Sequence, residues 1–236
     1  MEPRNILILT AITLEAKALA KMLQLRRISE VRWRGELGRS RITLNIVGMN
    51  ARHWPALVTT GAAYQAVILA GVAGGLDPNL HIGSVLIDEE STPIPAYRHL
   101  PPTLDLRVGK IHSADAMIAT PASKHHLYTS TGAHGVEMER SRVLRHMDAM
   151  PLPRPAFLHI RGISDSAHDS LDSSFTQIVD PLGRVRPLSM TATLVRRPNL
   201  IPRLWRTGHN AHLAATRAAA VVRAILITGW PVPSSP

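Results

Sequence analysis

Short apolar runs alternate with stretches whose apolar residues return every three or four positions. Residues 6–11 (ILILTA) are apolar and β-branched and end in small side chains, which predicts a buried strand. Leu14, Ala18, Leu19, Met22 and Leu23 follow at helical spacing, so the strand leads straight into a helix with Thr13 as its N-cap. Residues 42–47 predict another strand and residues 54–64 a helix. Residues 66–73 (AVILAGVA) are apolar throughout, and Gly74-Gly75 with Asp77-Pro78 mark the turn that ends this strand. Further strands are expected at 83–88 (GSVLID), 133–138 and 156–163 (AFLHIRGI), with helices at 121–130 and 139–147. A polar loop, SDSAHDSLDSS, follows the last strand, and residues 188–227 predict helix interrupted by Pro198 and Pro202.

Apolar strands alternating with helices predict an α/β fold, a three-layer α/β/α sandwich with a parallel or mixed central sheet covered on both faces. No internal repeat, low-complexity segment or linker divides the chain, so a single domain over residues 1–236 is expected. In such folds ligands bind beyond the carboxyl ends of the strands. Four features fall there: Glu15, Gly74-Gly75, the Glu137-Met138-Glu139 segment, and Ser164-Asp165. Taken alone, Glu-Met-Glu reads as a strand ending where a solvated helix begins, with Glu139 in its favourable first turn. Its convergence with three other strand ends argues for a site instead.

The chain has 236 residues, 45% of them hydrophobic, which suffices for a packed core. No run is long enough to span a bilayer, and the first residues lack the layout of a signal peptide. With no cysteine there is no disulfide, thiolate metal site or cysteine nucleophile, and a cytoplasmic location fits. Aromatics at 4% argue against a platform that stacks single-stranded nucleic acid. Charge is lopsided, with 27 Lys+Arg against 17 Asp+Glu. After Asp180 no acidic residue occurs, while Arg184, Arg186, Arg196, Arg197, Arg203, Arg206, Arg217 and Arg223 follow. Such a tail suits nucleic acid, anionic lipid or an anionic substrate, and equally a solvated arginine-rich face.

Several tempting motifs fail. AGVAGG does not match G-x-G-x-x-G, and no P-loop lysine follows it. His209 and His212, or the adjacent His125 and His126, lack a third ligand, so no metal is expected. Ser164, Asp165 and His168 lack the strand–Gly-x-Ser-x-Gly–helix elbow of a serine hydrolase.

The pieces together resemble the superfamily of purine nucleoside phosphorylases and methylthioadenosine/S-adenosylhomocysteine nucleosidases. ILILTAITLEA resembles its first strand and the glutamate after it, and AVILAGVAGGLDPNLHIGSVLI its strand–glycine–strand passage. GVEMER resembles the ribose-binding segment, and IRGISDSA the strand that carries the catalytic aspartate. The match runs in consistent order from Ile6 to about Asp165. TPASKHHLYTSTGAHGVEME, DPLGRVRPLS and LVRRPNLIPRLWRTGHNAHLAATRA further resemble the hopanoid-biosynthesis-associated phosphorylase branch over nearly the whole chain. That branch implies removal of adenine from adenosylhopane, leaving ribosylhopane or its phosphate.

The resemblance implies roles residue by residue. Asp165 matches the acid that protonates or hydrogen-bonds purine N7, with Ser164 orienting it, and such an acid needs a raised pKa. Glu139 matches the acceptor of the ribose hydroxyls, and Met138 would pack under the ribose. Glu15 matches the glutamate that activates water, with Glu137 and Arg161 bracketing that water and Gly74 at the turn. Arg161 in an apolar strand also requires a buried carboxylate partner whatever its role. Met117 and Ile118 match the adenine pocket, although Met117 stands where an aromatic is usual. The strand Leu69-Ala70-Gly71-Val72 supplies neither the arginine nor the serine that phosphorylases offer to phosphate, and Glu15 replaces another arginine, so water is favoured over phosphate. Arg52 or Arg161 would compensate in part. No cofactor, no metal and no nucleic acid are implied; a homo-oligomer is, with a dimer favoured. Peripheral contact with the inner membrane is a further expectation, resting on Arg196, Arg197, Arg203 and Arg206 around Leu200, Ile201, Leu204 and Trp205. The competing readings are a generic methylthioadenosine or S-adenosylhomocysteine nucleosidase, a purine nucleoside phosphorylase, and a non-catalytic membrane- or nucleic-acid-binding protein using the basic tail.

Overall fold

In the computed structural model, residues 4–54, 64–91, 100, 102–150, 153–172, 179, 180, 182, 184, 201–228 and 230 are described. The elements, in chain order, are β1 (Arg4–Thr10), α1 (Thr13–Met22), β2 (Arg26–Ser29), β3 (Arg32–Leu37), β4 (Ser40–Ile46), β5 (Ala66–Gly75), β6 (Val85–Asp88), β7 (Leu106–Gly109), β8 (Ile111–Ser113), α2 (Pro121–Thr131), β9 (Gly135–Glu137), α3 (Arg140–Asp148), β10 (Ala156–Asp165) and α4 (Ile201–Ile227).

One mixed sheet runs in the order β2-β3-β4-β1-β5-β10-β6-β7, and β9 and β8 add on at the end of β5. The centre is parallel: β4, β1, β5 and β10 all point the same way. Their sequences explain this. Period-two alternation sends Ile6 and Ile8 of β1 to one face and Leu7 and Leu9 to the other, and all four are fully buried. The first face packs Ala16 and Leu19 of α1, Leu23 just after it, and the apolar stripe of α4 from Ala218 to Leu226. The second packs Val143 and Met147 of α3 with Val67 and Leu69 of β5. The three layers expected from the sequence are therefore present. Gly162 is required by this packing, because a Cβ there would collide with the Ala214 carbonyl of α4.

Beyond Ile163 the register of β10 against β5 slips. Ile163 pairs with Ala73, but the next pair is Asp165 with Gly74, leaving Ser164 as the extra residue of a bulge.

Four departures from the sequence reading have local causes. Thr13 is the first helical residue of α1, with extended Ile12 as N-cap; the free N–H groups are taken by Glu15 rather than by a threonine hydroxyl. Pro202 does not interrupt the last helix but lies in its first turn, where its missing N–H costs nothing. Strands β2 and β3, unpredicted because half their residues are charged, form a hairpin onto β4, and Arg27 lies 5.8 Å over the buried Trp33 ring. Strands β7 and β8 are too short to show a period. Residues 55–63 of the helix expected over 54–64, and the tail over 188–200, lie outside the described residues.

Candidate active site

The carboxyl ends of β1, β5 and β10 meet the end of β9 around one cleft. Each polar group there is placed by a strand end or a helix start. Glu15, in the first turn of α1, takes the N–H groups of Ala11 (2.8 Å) and Ile12 (3.0 Å) on Oε2 and that of Val72 (2.8 Å) on Oε1. Its carboxylate thus ties β1 to β5. Gly71 makes this possible: a Cβ there would overlap the Glu15 carboxylate and stand 2.6 Å from Arg161 Nη1.

Arg161 is completely buried, and its guanidinium is fully used. Nη2 donates to Glu137 Oε2 (2.5 Å) and Glu139 Oε2 (3.1 Å), Nε donates to His159 Nε2 (2.9 Å), and Nη1 lies 3.9 Å from Glu15 Oε1. The buried arginine–carboxylate contact expected from the sequence is present. His159 Nδ1 stands 3.0 Å from Asp88 Oδ2. Because Nε2 accepts from Arg161, the proton of the neutral ring is on Nδ1 and points at Asp88. Burial holds the imidazole below its ordinary pKa, which fits this neutral state.

The Glu-Met-Glu segment divides its labour. Glu137 turns inward and accepts the N–H groups of Glu139 (2.9 Å) and Arg140 (3.0 Å), so it caps the start of α3 as well as pairing with Arg161. Burial pushes its pKa up, but the Arg161 guanidinium, His159 and the hydrogen bonds from the Glu139 N–H and Ser113 together outweigh burial and hold the carboxyl below its usual range. Glu139 lines the cleft beside it and takes the Asn50 N–H at 3.1 Å. Burial pushes its pKa up to about 7, the charges of Glu137 and Glu15 adding to the effect and Arg161 opposing it. Glu15 is raised as well, again by burial against the pull of Arg161.

Asp165 closes the cleft at the end of β10. Ser164 Oγ lies 2.8 Å from its Oδ1, and Lys124 Nζ donates to its Oδ2. Gly74 leaves room for the carboxylate, since a Cβ there would come within 3.2 Å of Oδ2. The remaining wall is apolar: Ile12, Met49, Met117, Ile118, Met138 and Leu171. Glu15, Gly74, Met117, Ile118, Glu137, Met138, Glu139, Ser164 and Asp165 therefore all line this one cleft, while Arg161 stands behind the wall rather than in it. Arg52 is exposed, and no lysine or arginine is among the described residues lining the cleft.

Sequence reasoning missed Lys124, Asp88 and His159. For His159 a signal existed, because alternation in FLHIR puts it on the same face as Arg161 and opposite the apolar Leu158 and Ile160. For Lys124 none did: it sits in a helix of polar composition that reads as solvated.

No protein-family model matches the chain, and no curated protein matches it in sequence. Solved structures do match in fold. The 5'-methylthioadenosine/S-adenosylhomocysteine nucleosidase of Helicobacter pylori superposes with a TM-score of 0.62 at 15% identity, over 97% of this chain and 100% of that one. The S-adenosylhomocysteine nucleosidase of Streptococcus pyogenes, solved with 5-methylthiotubericidin, gives 0.64 at 18% identity, over 98% and 99%. A futalosine hydrolase mutant of Helicobacter pylori gives 0.60 at 17%, over 95% and 99%. The α/β fold of this chain is thus the fold of these nucleosidases.

Proposed function

We propose that the protein cleaves the N-glycosidic bond of an adenine nucleoside by hydrolysis. The observation that carries this reading is the meeting of Glu15, Glu139 and Asp165 in one cleft at the carboxyl ends of β1, β5 and β10. Breaking the bond from C1′ to N9 leaves positive charge on the sugar and places electron density on the purine. Asp165 would serve N7, completing a neutral leaving group. Glu139 would accept the ribose hydroxyls, and the carboxylate cluster around Arg161 would stabilise the cationic sugar. Glu15, held by three backbone N–H groups and raised by burial, would take the proton of the attacking water. Water rather than phosphate is supported by the anionic cleft: Arg161 is spent on glutamates, and phosphate would meet carboxylates.

The finer reading is an adenosyl-lipid substrate of the adenosylhopane kind. It rests on the resemblance of the basic tail and on the surface near the start of α4, where Ile201 is 52% and Trp205 72% exposed beside the exposed Arg203 and Arg206. Apolar groups beneath guanidiniums suit peripheral contact with an anionic membrane, each basic residue contributing about 1 kcal/mol. His209 stacks on the Trp205 ring at 5.4 Å, which ties both to this surface. A single-domain homodimer completes the proposal, on the same resemblance. No helix among the described residues is long and apolar enough to cross a membrane.

The test measures adenine released from methylthioadenosine and from adenosylhopane, each with and without phosphate, together with co-sedimentation on anionic liposomes. Release of adenine in phosphate-free buffer supports the hydrolytic reading. Absence of release from either nucleoside sinks it, and a rate for methylthioadenosine far above that for adenosylhopane sinks the lipid substrate alone.

A further inference from the structure

Lys124 is the one buried residue of α2, and it is fully enclosed. Its three N–H bonds meet three acceptors: Asp165 Oδ2, the Ser166 carbonyl at 2.7 Å and the Asp169 carbonyl at 3.1 Å. The turn that presents those carbonyls is itself fixed, because the Asp169 carboxylate accepts from the Ser166 N–H (2.9 Å) and Oγ (2.8 Å). An ammonium is costly to bury, and an apolar side chain would pack this position without that cost. What the lysine adds is a proton-bearing group on one particular atom, Oδ2 of Asp165.

Asp165 accepts on both oxygens, from Ser164 on Oδ1 and from Lys124 on Oδ2. In this arrangement the protons lie on its neighbours, yet a departing purine needs one at N7. Ser164 also stands 3.2 Å from the Ala73 carbonyl, so its single proton has two claimants. Lys124 has three and does not line the cleft.

We propose that Lys124 is the proton reserve of Asp165, a positioning residue that acts on the purine only through that carboxylate. The inference rests on the nucleosidase reading above. As the bond from C1′ to N9 breaks, its electron pair passes into the purine. N7 takes a proton from Asp165, and Asp165 takes one on Oδ2 from Lys124 Nζ. Adenine leaves neutral, Asp165 ends ionised, and Lys124 ends as a neutral amine. The attacking water gives its oxygen to C1′ and its proton to Glu15, and that proton returns to Nζ through solvent once products leave. The same contacts anchor α2, which begins just after Met117 and Ile118 of the cleft wall, so the test must separate proton supply from anchoring.

Lys124→Ala, checked for an intact fold by thermal melting, should release adenine from methylthioadenosine about 100-fold more slowly than the parent protein. Added ethylammonium, small enough for the vacated space, should restore at least about a tenth of that loss, as expected of a replaced general-acid group. Tetramethylammonium, which brings the charge but no proton, should not. An undiminished rate, equal rescue by both ions, or rescue by neither overturns the proposal. If Lys124→Ala does not fold, Lys124→Arg carries the test, since arginine keeps charge and donors but does not give up its proton. A folded Lys124→Arg should then be slow, and a parental rate overturns the inference. Failure of the parent protein to release adenine at all would instead count against the nucleosidase reading itself.

Discussion

Arg161 Nη2 lies 2.5 Å from Glu137 Oε2, both side chains are essentially out of solvent, and the same nitrogen reaches Glu139 at 3.1 Å. One guanidinium therefore holds together two carboxylates that both line the cleft, one of which also takes the N–H groups at the start of α3. Replacing Arg161 by Met should cost about 3–5 kcal/mol of stability, as expected when one partner of a buried pair is removed. Urea unfolding checks this. The double variant Arg161→Met/Glu137→Gln should recover part of the loss, and a single variant as stable as the parent would show that the pair does not hold the site.

The pH response follows from Glu139. Its folded pKa, about 7, lies above its ordinary 4.5, because burial disfavours the charged form. A raised pKa contributes stability that is complete below 4.5 and is lost as pH rises through about 7. Between those limits the parent protein should lose on the order of 3 kcal/mol relative to Glu139→Gln, measured by urea titration at each pH. Adenine release should move the other way, rising towards pH 7 as Glu139 becomes an anionic acceptor for ribose hydroxyls. A flat stability difference between the two proteins would remove Glu139 as the titrating group.

Asp165→Asn should keep the fold and lose adenine release by about 100-fold or more, as loss of a general acid implies. Near-parental turnover would take Asp165 out of the mechanism. Under the hydrolytic reading the parent rate should also be indifferent to phosphate, with free ribosyl product seen by mass spectrometry. Strict phosphate dependence with a ribosyl phosphate product would overturn it.

Gly71→Ala tests the close approach of two strands' worth of polar groups. The added methyl would fall on the Glu15 carboxylate and the Arg161 guanidinium. Overpacking of this kind costs about 1–3 kcal/mol, and displacing Glu15 from the Val72 N–H should slow turnover more than it lowers affinity. Steady-state kinetics with a thermal melt would read both, and an unchanged kcat with unchanged melting would mean that the packing yields freely.

The strands that form the centre of the sheet were legible because they are buried on both faces and carry uninterrupted apolar runs. The site was legible for a related reason. Glu15, Glu137, Glu139 and Asp165 each follow such a run directly, so chain order alone brought them to strand ends. Lys124 was not legible, because a buried lysine differs from a solvated one only through partners 41 to 45 positions away. The hairpin of β2 and β3 was hidden for the opposite reason: its ladder is completed by β4, and its exposed strand needs no apolar face. Thr13 and Pro202 misled because each has a second permitted place in a helix, at its first turn.

The slip in β10 at Ser164 changes the phase of the strand just before its last residue. Counting alternate residues from Arg161 through Ile163 would put Asp165 on their side of the sheet, whereas its pairing with Gly74 sets it on the other. The two carboxylate-bearing walls thus differ in parity, and Ser164 is the residue that makes the difference. Deleting it would remove the hydroxyl that meets Asp165 Oδ1 yet leave the aspartate opposite Gly74, as the next rung of a regular ladder. It is ironing out the bulge with Ser164 still present that would carry Asp165 out of step with the Gly74 opening. A chain lacking this residue would therefore keep the aspartate in the cleft and lose only the hydroxyl beside it.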